Sequence, residues 1–216
     1  LKSVPEIERL RLSSLDPDGF DPELIEIIVG ESRLMPHLHL SLQAGDDMIL
    51  KRMKRRHDRA MVLDLCENLR RQRKEIVFGA DLIAGFPTET DEMFENTLSI
   101  IKECDLTQLH VFPYSPRPGT PAADMPQVPA PVRKSRAARL REAGEAQLTA
   151  DLSRRIGSDL SVLVEKPAWG RSESFASVKL EGCAEIGGIV SARAVAIEGM
   201  QLIARVATQS QKAVAI

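Results

Sequence analysis

Strand-like and helix-like segments alternate through the first half of the chain, and this alternation constrains the fold more than any other feature of the sequence. Short apolar segments that are typical of strands lie at 9–14, 37–43, 77–86 and 108–115. The stretches between them are long enough for helices, and their apolar residues recur with helical spacing. Because strands joined through helices pair in parallel, the sequence predicts an α/β fold.

Residues that begin and end helices stand where this alternation requires them. Asp21, followed by a proline, predicts the start of the first helix, and Gly30 predicts its end. Asp58 is placed to cap a second helix. Either Thr88 or Thr90 can cap a third, because a side-chain oxygen there accepts a hydrogen bond from a free main-chain N–H.

The second half of the chain changes pattern twice. Six prolines within 115–131 predict an ordered connector, and a long basic helix is predicted over 132–156. The tail then contains short β runs separated by glycines, at 160–165, 175–181, 187–199 and 200–206. This pattern predicts a small β-barrel. The predicted domains are therefore 1–153 and 156–216.

Composition limits the class of protein. A hydrophobic fraction of 43% and a charged fraction of 28% are ordinary for a globular protein. No apolar run approaches the roughly 20 residues that span a bilayer, so no membrane partner is expected. Cys66, Cys104 and Cys183 lie too far apart for a zinc knuckle or a disulfide framework, which fits a reducing, cytoplasmic location. Cys66 and Cys104 are expected to be small core residues.

Basic residues are clustered although the net charge is only -2. The densest cluster spans 51–59, and others lie at 70–74 and 133–141. Such clusters can form a phosphate-binding face, but they are equally typical of solvated helix surfaces. The sequence leaves both interpretations open.

Polar residues share one face of successive predicted strands, which is unusual for a parallel sheet covered by helices. The segment 37–43 alternates three leucines with four polar residues. The polar face would comprise Arg9, Arg11, Ser13, His37, His39, Ser41, Gln43, Asp81, His110 and Tyr114. Unpaired buried polar groups cost about 1–3 kcal/mol each. This face therefore predicts either a wet, ligand-filled interior or strands that stay half exposed.

The predicted strands end on small or hydrogen-bonding residues, at 13–14, 43–45, 85–87 and 114–115. Ligands of α/β proteins bind at the carboxyl ends of the strands. Gly85 has no side chain, so a ligand could approach its backbone closely. Gly85→Val is therefore predicted to abolish ligand binding and to leave the fold intact.

Four segments, taken in order, resemble one known family. They are RLRLSSL (9–15), HLHLSLQAGDDMILKRMKRRH (37–57), DLIAGFPTETDEMFENTL (81–98) and LHVFPYSPRPGTPAADMPQVP (109–129). They look like the second half of a radical S-adenosylmethionine methylthiotransferase, and the last segment favours the subfamily that modifies threonylcarbamoyladenosine in tRNA. The tail, with WGRSESFASVKLEG at 169–182, is similar to the family's TRAM domain, a small RNA-binding barrel.

The resemblance implies the second half of a partial (β/α) radical SAM barrel, followed by a small all-β TRAM barrel of OB-like form. It implies an enzyme that uses S-adenosylmethionine and 4Fe-4S clusters to add a methylthio group to C2 of threonylcarbamoyladenosine at position 37, next to the anticodon. The implied partners are the tRNA anticodon stem-loop and, for the full-length enzyme, sulfur and electron donors. Two other family substrates stay open: isopentenyladenosine in tRNA and an aspartate of a ribosomal protein. A different class also stays open, a truncated, non-catalytic RNA-binding module.

The family's site residues carry over only onto matching positions. Those implied to contact the cofactor are Arg11, Ser13, Ser41, Gln43, Asp81, Gly85, Glu89, Phe112 and Tyr114. RNA contacts are expected from Lys51, Arg52, Lys54, Arg55, Arg56, Arg171 and Lys179. No catalytic residue and no metal ligand is implied. Thr88 departs from the family, which commonly has glycine at this position.

The family's cluster-binding Cys-x3-Cys-x2-Cys motif does not occur in the sequence. Iron–sulfur clusters are held by thiolates. The chain is therefore expected to be a fragment of the enzyme and to be inactive by itself.

Overall fold

The computed structural model describes residues 4–207. The chain forms two compact units that divide after Leu148. The long helix α5, Ala130–Arg155, contains that division, so the predicted domain boundaries at 153 and 156 stay predictions. No helix in the described part of the chain is long and apolar enough to cross a membrane.

The first unit is built on a three-stranded parallel sheet. Its strands are β1 (His37–Gln43), β2 (Val77–Ala84) and β3 (Leu106–Pro113), paired in that order. The pairs His39–Gly79 and Asp81–His110 define the register. The α/β prediction is confirmed, and so are three of the four predicted strands, although β3 begins earlier than predicted.

The predicted strand at 9–14 is wrong. Leu10 forms one isolated parallel bridge with Leu34, and Leu15 forms another with Leu40. The two partners of the first bridge are 24 residues apart in sequence, and those of the second bridge are 25 residues apart. The pairing register therefore shifts by one residue between the two bridges. A one-residue slip turns side chains to the opposite face. As a result, residues 11–14 form no continuous ladder with the described strands.

Helices connect the strands and begin at capping side chains. They are α1 (Pro22–Gly30), α2 (Asp47–Arg52), α3 (Arg59–Gln72) and α4 (Asp91–Glu103), with 3-10 turns at Pro17–Gly19 and Pro121–Asp124. Asp21, Asp58 and Thr90 accept main-chain N–H bonds at 2.8, 2.8 and 3.2 Å, and such a cap contributes about 1 kcal/mol. The predicted end of α1 is wrong by one residue, since Gly30 is still helical and Glu31 is the C-cap.

One face of the sheet is apolar and packs against the helices. Alternate strand residues, including Leu38, Leu40 and Phe78, are fully buried. The helices cover them with Ile28, Val62, Leu65, Cys66, Leu69, Phe94, Ile100, Ile101, Ala137 and Leu140. Each large apolar side chain buried there contributes about 1.5–3 kcal/mol, so this interface is the main source of stability in the unit. Cys66 and Cys104 lie in this core, as predicted.

The second unit is a closed β-barrel of five strands. They are β4 (Asp159–Lys166), β5 (Trp169–Ser172), β6 (Ser177–Glu181), β7 (Ile189–Glu198) and β8 (Gln201–Val206), paired in the order β4-β5-β6-β8-β7. The buried residues of these strands alternate with outward ones, and include Leu160, Val162, Val178 and Leu202. The prediction of a small β-barrel is confirmed, and the structure shows that the barrel is closed.

The sequence prediction misses β5. This strand is four residues long and has two buried positions, too few for an alternating pattern to be recognised. Gly170 is required within it, because a Cβ there would collide with the main-chain oxygen of Leu163 on β4. The strand is therefore specified by close packing between neighbouring strands, which the local sequence does not reveal.

Candidate functional site

The carboxyl edge of the sheet carries strained backbone. Gln43, at the end of β1, has a φ of 68°, and Thr88, in the loop after β2, has a φ of 66°. A residue other than glycine pays of order 1–3 kcal/mol in this region. Gly85, which follows β2, has a φ of 73° without that cost. Because ligands of α/β proteins bind at the carboxyl ends of the strands, and strain of this kind is common at binding sites, this edge is the candidate functional site.

The second face of the sheet is polar, and its side chains converge as the alternating pattern predicts. His39 Nε2 lies 3.0 Å from Asp81 Oδ1, and His110 Nδ1 lies 3.1 Å from the same oxygen. The side chains of His39, Asp81 and His110 are 11%, 21% and 62% exposed. Three neighbouring strands therefore bring three titratable groups together at a site that is open on the His110 side.

A buried carboxylate closes the turn after β2. Glu89 Oε2 accepts hydrogen bonds from the Gly85 N–H at 2.9 Å and from Arg136 Nη1 at 2.7 Å. Burial raises the pKa of the Glu89 carboxyl, while the Arg136 charge and the Gly85 N–H oppose that shift. Glu89 Oε1 is buried with no hydrogen-bond partner within residues 4–207. Glu89 therefore holds the turn, and its contact with a cofactor stays a prediction.

The space beside Gly85 is filled by protein. A Cβ at this position would collide with the side chain of Arg133 on α5. Arg133 Nη1 also donates to the main-chain oxygen of Tyr114 at 2.7 Å, so it lies across the ends of β2 and β3. That Gly85→Val leaves the fold intact therefore stays a prediction, and the new side chain is expected to lower stability, because it would displace Arg133 and strain the backbone.

A cleft of about 540 Å³ opens at the ends of β2 and β3. Its lining residues are Ile83, Phe112, Pro113, Tyr114, Ser115, Arg117, Thr120 and Ala122. Phe112 is 53% exposed, and the Tyr114 ring packs edge-on against Phe86 with centroids 5.3 Å apart. Clefts of this size with mostly apolar walls bind small molecules. Two predicted cofactor residues, Phe112 and Tyr114, thus lie together.

The remaining predicted cofactor residues are spread over other parts of this unit. Ser41 lies on β1, on the same face as His39 by alternation, and an irregularity in pairing separates it from Gln43. Arg11 is half-buried and Ser13 is exposed, both in the segment before α1. Their roles in cofactor binding stay predictions.

The basic segment after β1 is only partly free to meet a phosphate. Arg52 donates to the main-chain oxygen of Thr88 at 3.3 Å, and Arg55 pairs with Asp16 at 2.7 Å. Arg59 is half-buried and donates to the main-chain oxygens of Gly45 and Asn96. Lys51, Lys54 and Arg56 are exposed, and Arg56 lies 4.0 Å from Asp18. The RNA-binding prediction for this segment therefore depends mainly on these three residues.

The predicted RNA-binding residues of the tail lie on the barrel surface beside aromatic rings. The Arg171 guanidinium lies 5.3 Å from the Trp169 ring centre and 4.2 Å from that of Phe175. Lys179 pairs with Glu198 at 2.7 Å. The sequence analysis does not include these two rings among the site residues. Aromatic residues make up only 4% of the chain, so two of them beside an arginine are a notable feature. Their closeness to Arg171 in sequence was the available signal.

Other site residues were missed for a different reason. His39 and His110 were assigned to the polar face but not to a site, because strand register, which one strand alone does not encode, is needed to see that both reach Asp81. Arg133 and Arg136 belong to a basic cluster for which the sequence leaves open a phosphate-binding face and a solvated helix surface. Their local sequence carries no signal that they bind the ends of strands.

The cysteines of this chain do not fit an iron–sulfur cluster. Cys66 and Cys104 are buried in the sheet core, and the hydrogen bond with Cys104 together with burial raises the pKa of the Cys66 thiol. Cluster ligands are thiolates, and a raised pKa keeps this thiol protonated. Cys183 belongs to the barrel unit and is exposed. No cluster site is therefore formed by cysteines within the described residues.

Comparisons with known proteins connect this geometry to a family. The Radical SAM superfamily model matches residues 4–101, which contain β1, β2 and the turn held by Glu89. Threonylcarbamoyladenosine tRNA methylthiotransferase MtaB of Rickettsia prowazekii (strain Madrid E) is 55% identical over 198 residues, which are 92% of this chain and 47% of that protein. The tRNA-2-methylthio-N(6)-dimethylallyladenosine synthase of Ehrlichia chaffeensis is 42% identical over 164 residues, 76% of this chain and 37% of that protein.

One solved structure with partial similarity is coproporphyrinogen III oxidase (HemN) from Escherichia coli, described as a radical SAM enzyme. The two chains are 23% identical where they align, and the alignment covers 66% of this chain and 32% of the HemN chain, with a TM-score of 0.49. The chain spans less than half the length of the curated relatives named above. The radical SAM match agrees with the predicted cofactors of the family, S-adenosylmethionine and 4Fe-4S clusters. The chain belongs to the radical S-adenosylmethionine methylthiotransferase family and matches its threonylcarbamoyladenosine subfamily.

Proposed function

We propose that this chain is part of a tRNA methylthiotransferase that adds a methylthio group to C2 of threonylcarbamoyladenosine at position 37. The observation that carries the proposal is the 55% identity, over 92% of the chain, to an enzyme named for that nucleoside. A relative named for dimethylallyladenosine matches less of the chain at 42% identity. Isopentenyladenosine is therefore the second candidate substrate, and the ribosomal-protein aspartate is the third.

The cleft beside Phe112 is the proposed site for the adenine of S-adenosylmethionine. Its apolar lining suits a flat base, and the Tyr114 ring, braced by Phe86, offers a fixed edge. Ser41 and Gln43, at the end of β1, are the proposed partners of the ribose and methionine parts. When bound, S-adenosylmethionine supplies the radical that removes hydrogen from the substrate base. The residues of this chain bind and orient it.

No cluster ligand is proposed among the cysteines of this chain, so the chain alone is proposed to be inactive. Cys66 and Cys104 are committed to the sheet core. Iron content after anaerobic reconstitution tests this. We expect no more cluster iron in the purified chain than in a variant in which all three cysteines are serine. Stoichiometric iron that the variant lacks would refute the assignment.

The barrel is proposed to be the TRAM domain and to contact the tRNA anticodon stem-loop, which implies a cytoplasmic protein. Supporting this is Arg171, whose guanidinium group lies 5.3 Å from the Trp169 ring centre and 4.2 Å from that of Phe175. Bases stack on such groups with about 1–3 kcal/mol each. Lys179 adds a positive charge on β6.

The nucleoside specificity can be tested in a bacterial strain that lacks its own methylthiotransferases. Because the chain alone is proposed to be inactive, the test uses a full-length enzyme that contains it. We expect that enzyme to restore 2-methylthio-threonylcarbamoyladenosine, detected by mass spectrometry of digested tRNA. Phe112→Asp should abolish the product, because it places a charge in the apolar cleft. Met61→Ala, which changes an exposed apolar residue on α3, is the matched control. Methylthiolated isopentenyladenosine would favour the second candidate instead.

RNA binding by the barrel can be measured with the purified chain over a series of salt concentrations. Arg171→Gln should weaken binding to an anticodon stem-loop and lower the log–log salt slope by about 1 if the guanidinium contacts a phosphate. Arg205→Gln, at an exposed arginine on β8, is the control and should change neither. Affinity that stays equal in all three proteins would refute the assignment of this surface. Tight binding together with absent methylthiolation in cells would favour the non-catalytic module.

A further inference from the structure

His39, Asp81 and His110 place three metal-ligating atoms around one point. The atoms are His39 Nε2, Asp81 Oδ1 and His110 Nδ1, and all lie within 4.8 Å of one another. They come from β1, β2 and β3, where His39 pairs with Gly79 and Asp81 pairs with His110. The convergence is therefore a property of the sheet and not of a loop.

The spacing of these atoms is close to that of a small coordination sphere. Zinc binds histidine nitrogen and carboxylate oxygen at about 2.0–2.2 Å, so two ligand atoms of a tetrahedral ion lie about 3.4 Å apart. The carboxylate oxygen here lies 3.0 Å from one imidazole nitrogen and 3.1 Å from the other. Small side-chain rotations are enough to open this triangle around an ion.

The position of His39 is set by the neighbouring strands. A Cβ at Gly79 would lie 2.6 Å from His39 Nδ1 and 2.7 Å from the main-chain oxygen of Gln108. The imidazole therefore lies against the backbone of β2, where only glycine leaves room for it. The ring of His110 lies beside that of His39, with centroids 4.6 Å apart and planes tilted by 36°. One ligand is thus fixed and nearly buried, and another faces solvent.

We infer that His39, Asp81 and His110 bind a divalent transition-metal ion of the zinc class. Imidazole and carboxylate together suit zinc and its neighbours in the first transition row, whereas magnesium and calcium prefer oxygen ligands alone. Three protein ligands leave a fourth position open on the side of His110, which is 62% exposed. The inference uses neither S-adenosylmethionine nor tRNA, so it can fail while the proposed function stands.

A hydrogen-bonded triad is the rival explanation of the same contacts. In the triad both imidazoles donate a proton to Asp81 Oδ1, whereas in a metal site the same ring nitrogens present lone pairs. Metal binding therefore moves or releases these protons and excludes the triad. The two states differ in whether the purified chain takes up one ion per molecule.

The experiment uses the whole chain with Cys183→Ser, which removes the exposed thiol as a competing ligand. Titration with Co²⁺ should give visible absorption bands of a nitrogen–oxygen site at one ion per chain, and Zn²⁺ should displace it. Zn²⁺ should also raise the melting temperature by mass action. His110→Gln should raise the Kd roughly 100-fold, since even groups that only support a ligand are worth 10–100-fold.

Two further variants keep the result interpretable. Asp81→Asn preserves size and should weaken binding as His110→Gln does. Asp64→Asn, at an exposed carboxylate on α3, should leave the Kd unchanged. The absence of bound cobalt at a large excess overturns the inference and leaves the hydrogen-bonded triad. Equal affinity in His110→Gln and Asp64→Asn also overturns it, because the ion would then lie elsewhere.

Discussion

The arginines of the sheet unit and those of the barrel unit are used in different ways. In the sheet unit, several guanidinium groups donate to main-chain oxygens of neighbouring strands, helices and loops. These contacts join Arg59 to Gly45 and Asn96, Arg73 to Ile28 and Leu34, Arg133 to Tyr114, Arg136 to Glu89, and Arg141 to Val111. In the barrel, Arg171 also donates to a main-chain oxygen, that of Phe175 at 3.2 Å. Arg193 and Arg205, however, pair with Asp159 and Glu181, and these four side chains are at least half exposed.

The difference shows why a basic cluster is ambiguous in a sequence. A main-chain oxygen at the end of a strand lacks a ladder partner, and a guanidinium group carries five donors with which to satisfy it. The basic residues of α5 include Arg133, Arg136 and Arg141, and all three donate to a main-chain oxygen of the sheet unit. The cluster at 133–141 is therefore in large part an internal connection between α5 and the sheet edge.

The largest expected difference in stability is between the loss of an arginine in the sheet unit and the loss of one in the barrel unit. Arg136→Ala should lower the free energy of unfolding of the sheet unit by about 3–5 kcal/mol, because it leaves the Glu89 carboxylate buried without its partner. Arg193→Ala should cost less than about 1 kcal/mol, because its ion pair is exposed. Amide hydrogen exchange measures the sheet unit. Fluorescence of Trp169, the single tryptophan of the chain, measures the barrel unit.

A double variant sharpens this comparison. Glu89→Gln in the Arg136→Ala background should recover part of the loss, because the uncompensated charge is removed while the Gly85 N–H keeps an acceptor. If Arg136→Ala and Arg193→Ala cost the same small amount, the buried arginine contact contributes no more than a surface ion pair. The distinction between the two units would then have no energetic basis.

The next largest expected difference in stability is between an alanine substitution at one glycine of the sheet unit and the same substitution at one glycine of the barrel unit. Gly85 and Gly187 have φ values of 73° and 86°, so alanine at either position pays about 1–2 kcal/mol of backbone strain. Gly187→Ala should cost only that, since no described atom lies within 4 Å of the new Cβ. Gly85→Ala should cost about 1–3 kcal/mol more, because the methyl group displaces Arg133. Equal losses in denaturant unfolding would mean that Arg133 moves aside freely.

Features that depend on neighbouring residues in the sequence could be predicted, whereas features that depend on contacts between distant segments could not. Alternation over seven residues predicts β1, and adjacent residues predict the caps at Asp21 and Asp58, because these signals are local. The failed strand at 9–14 has the right local pattern, but the bridges at Leu10 and Leu15 differ in register by one residue. The meeting of His39 with Asp81 depends on the same long-range register. Only the pairing of whole strands determines such contacts, so sequence reasoning placed the polar face but not its geometry.

The smallest expected effect concerns a residue with positive φ in each unit. Thr88→Gly should relieve about 1–2 kcal/mol of strain at a φ of 66°, against roughly 0.5–1 kcal/mol of added chain entropy in the unfolded state. The turn keeps its bond from the residue-88 N–H to the main-chain oxygen of Pro126 at 3.0 Å, so a net gain of about 0.5 kcal/mol is expected.

Phe175→Gly in the barrel is the matched comparison, since Phe175 has a φ of 69°. Glycine relieves the same strain there but removes a ring that packs 4.2 Å from the Arg171 guanidinium, so no net gain in stability is expected. Denaturant midpoints of both variants measure the difference. A gain at Phe175 as large as that at Thr88 would mean that the contact between ring and guanidinium contributes nothing to the stability of the barrel. It would also remove the energetic support for a preformed stacking surface beside Arg171.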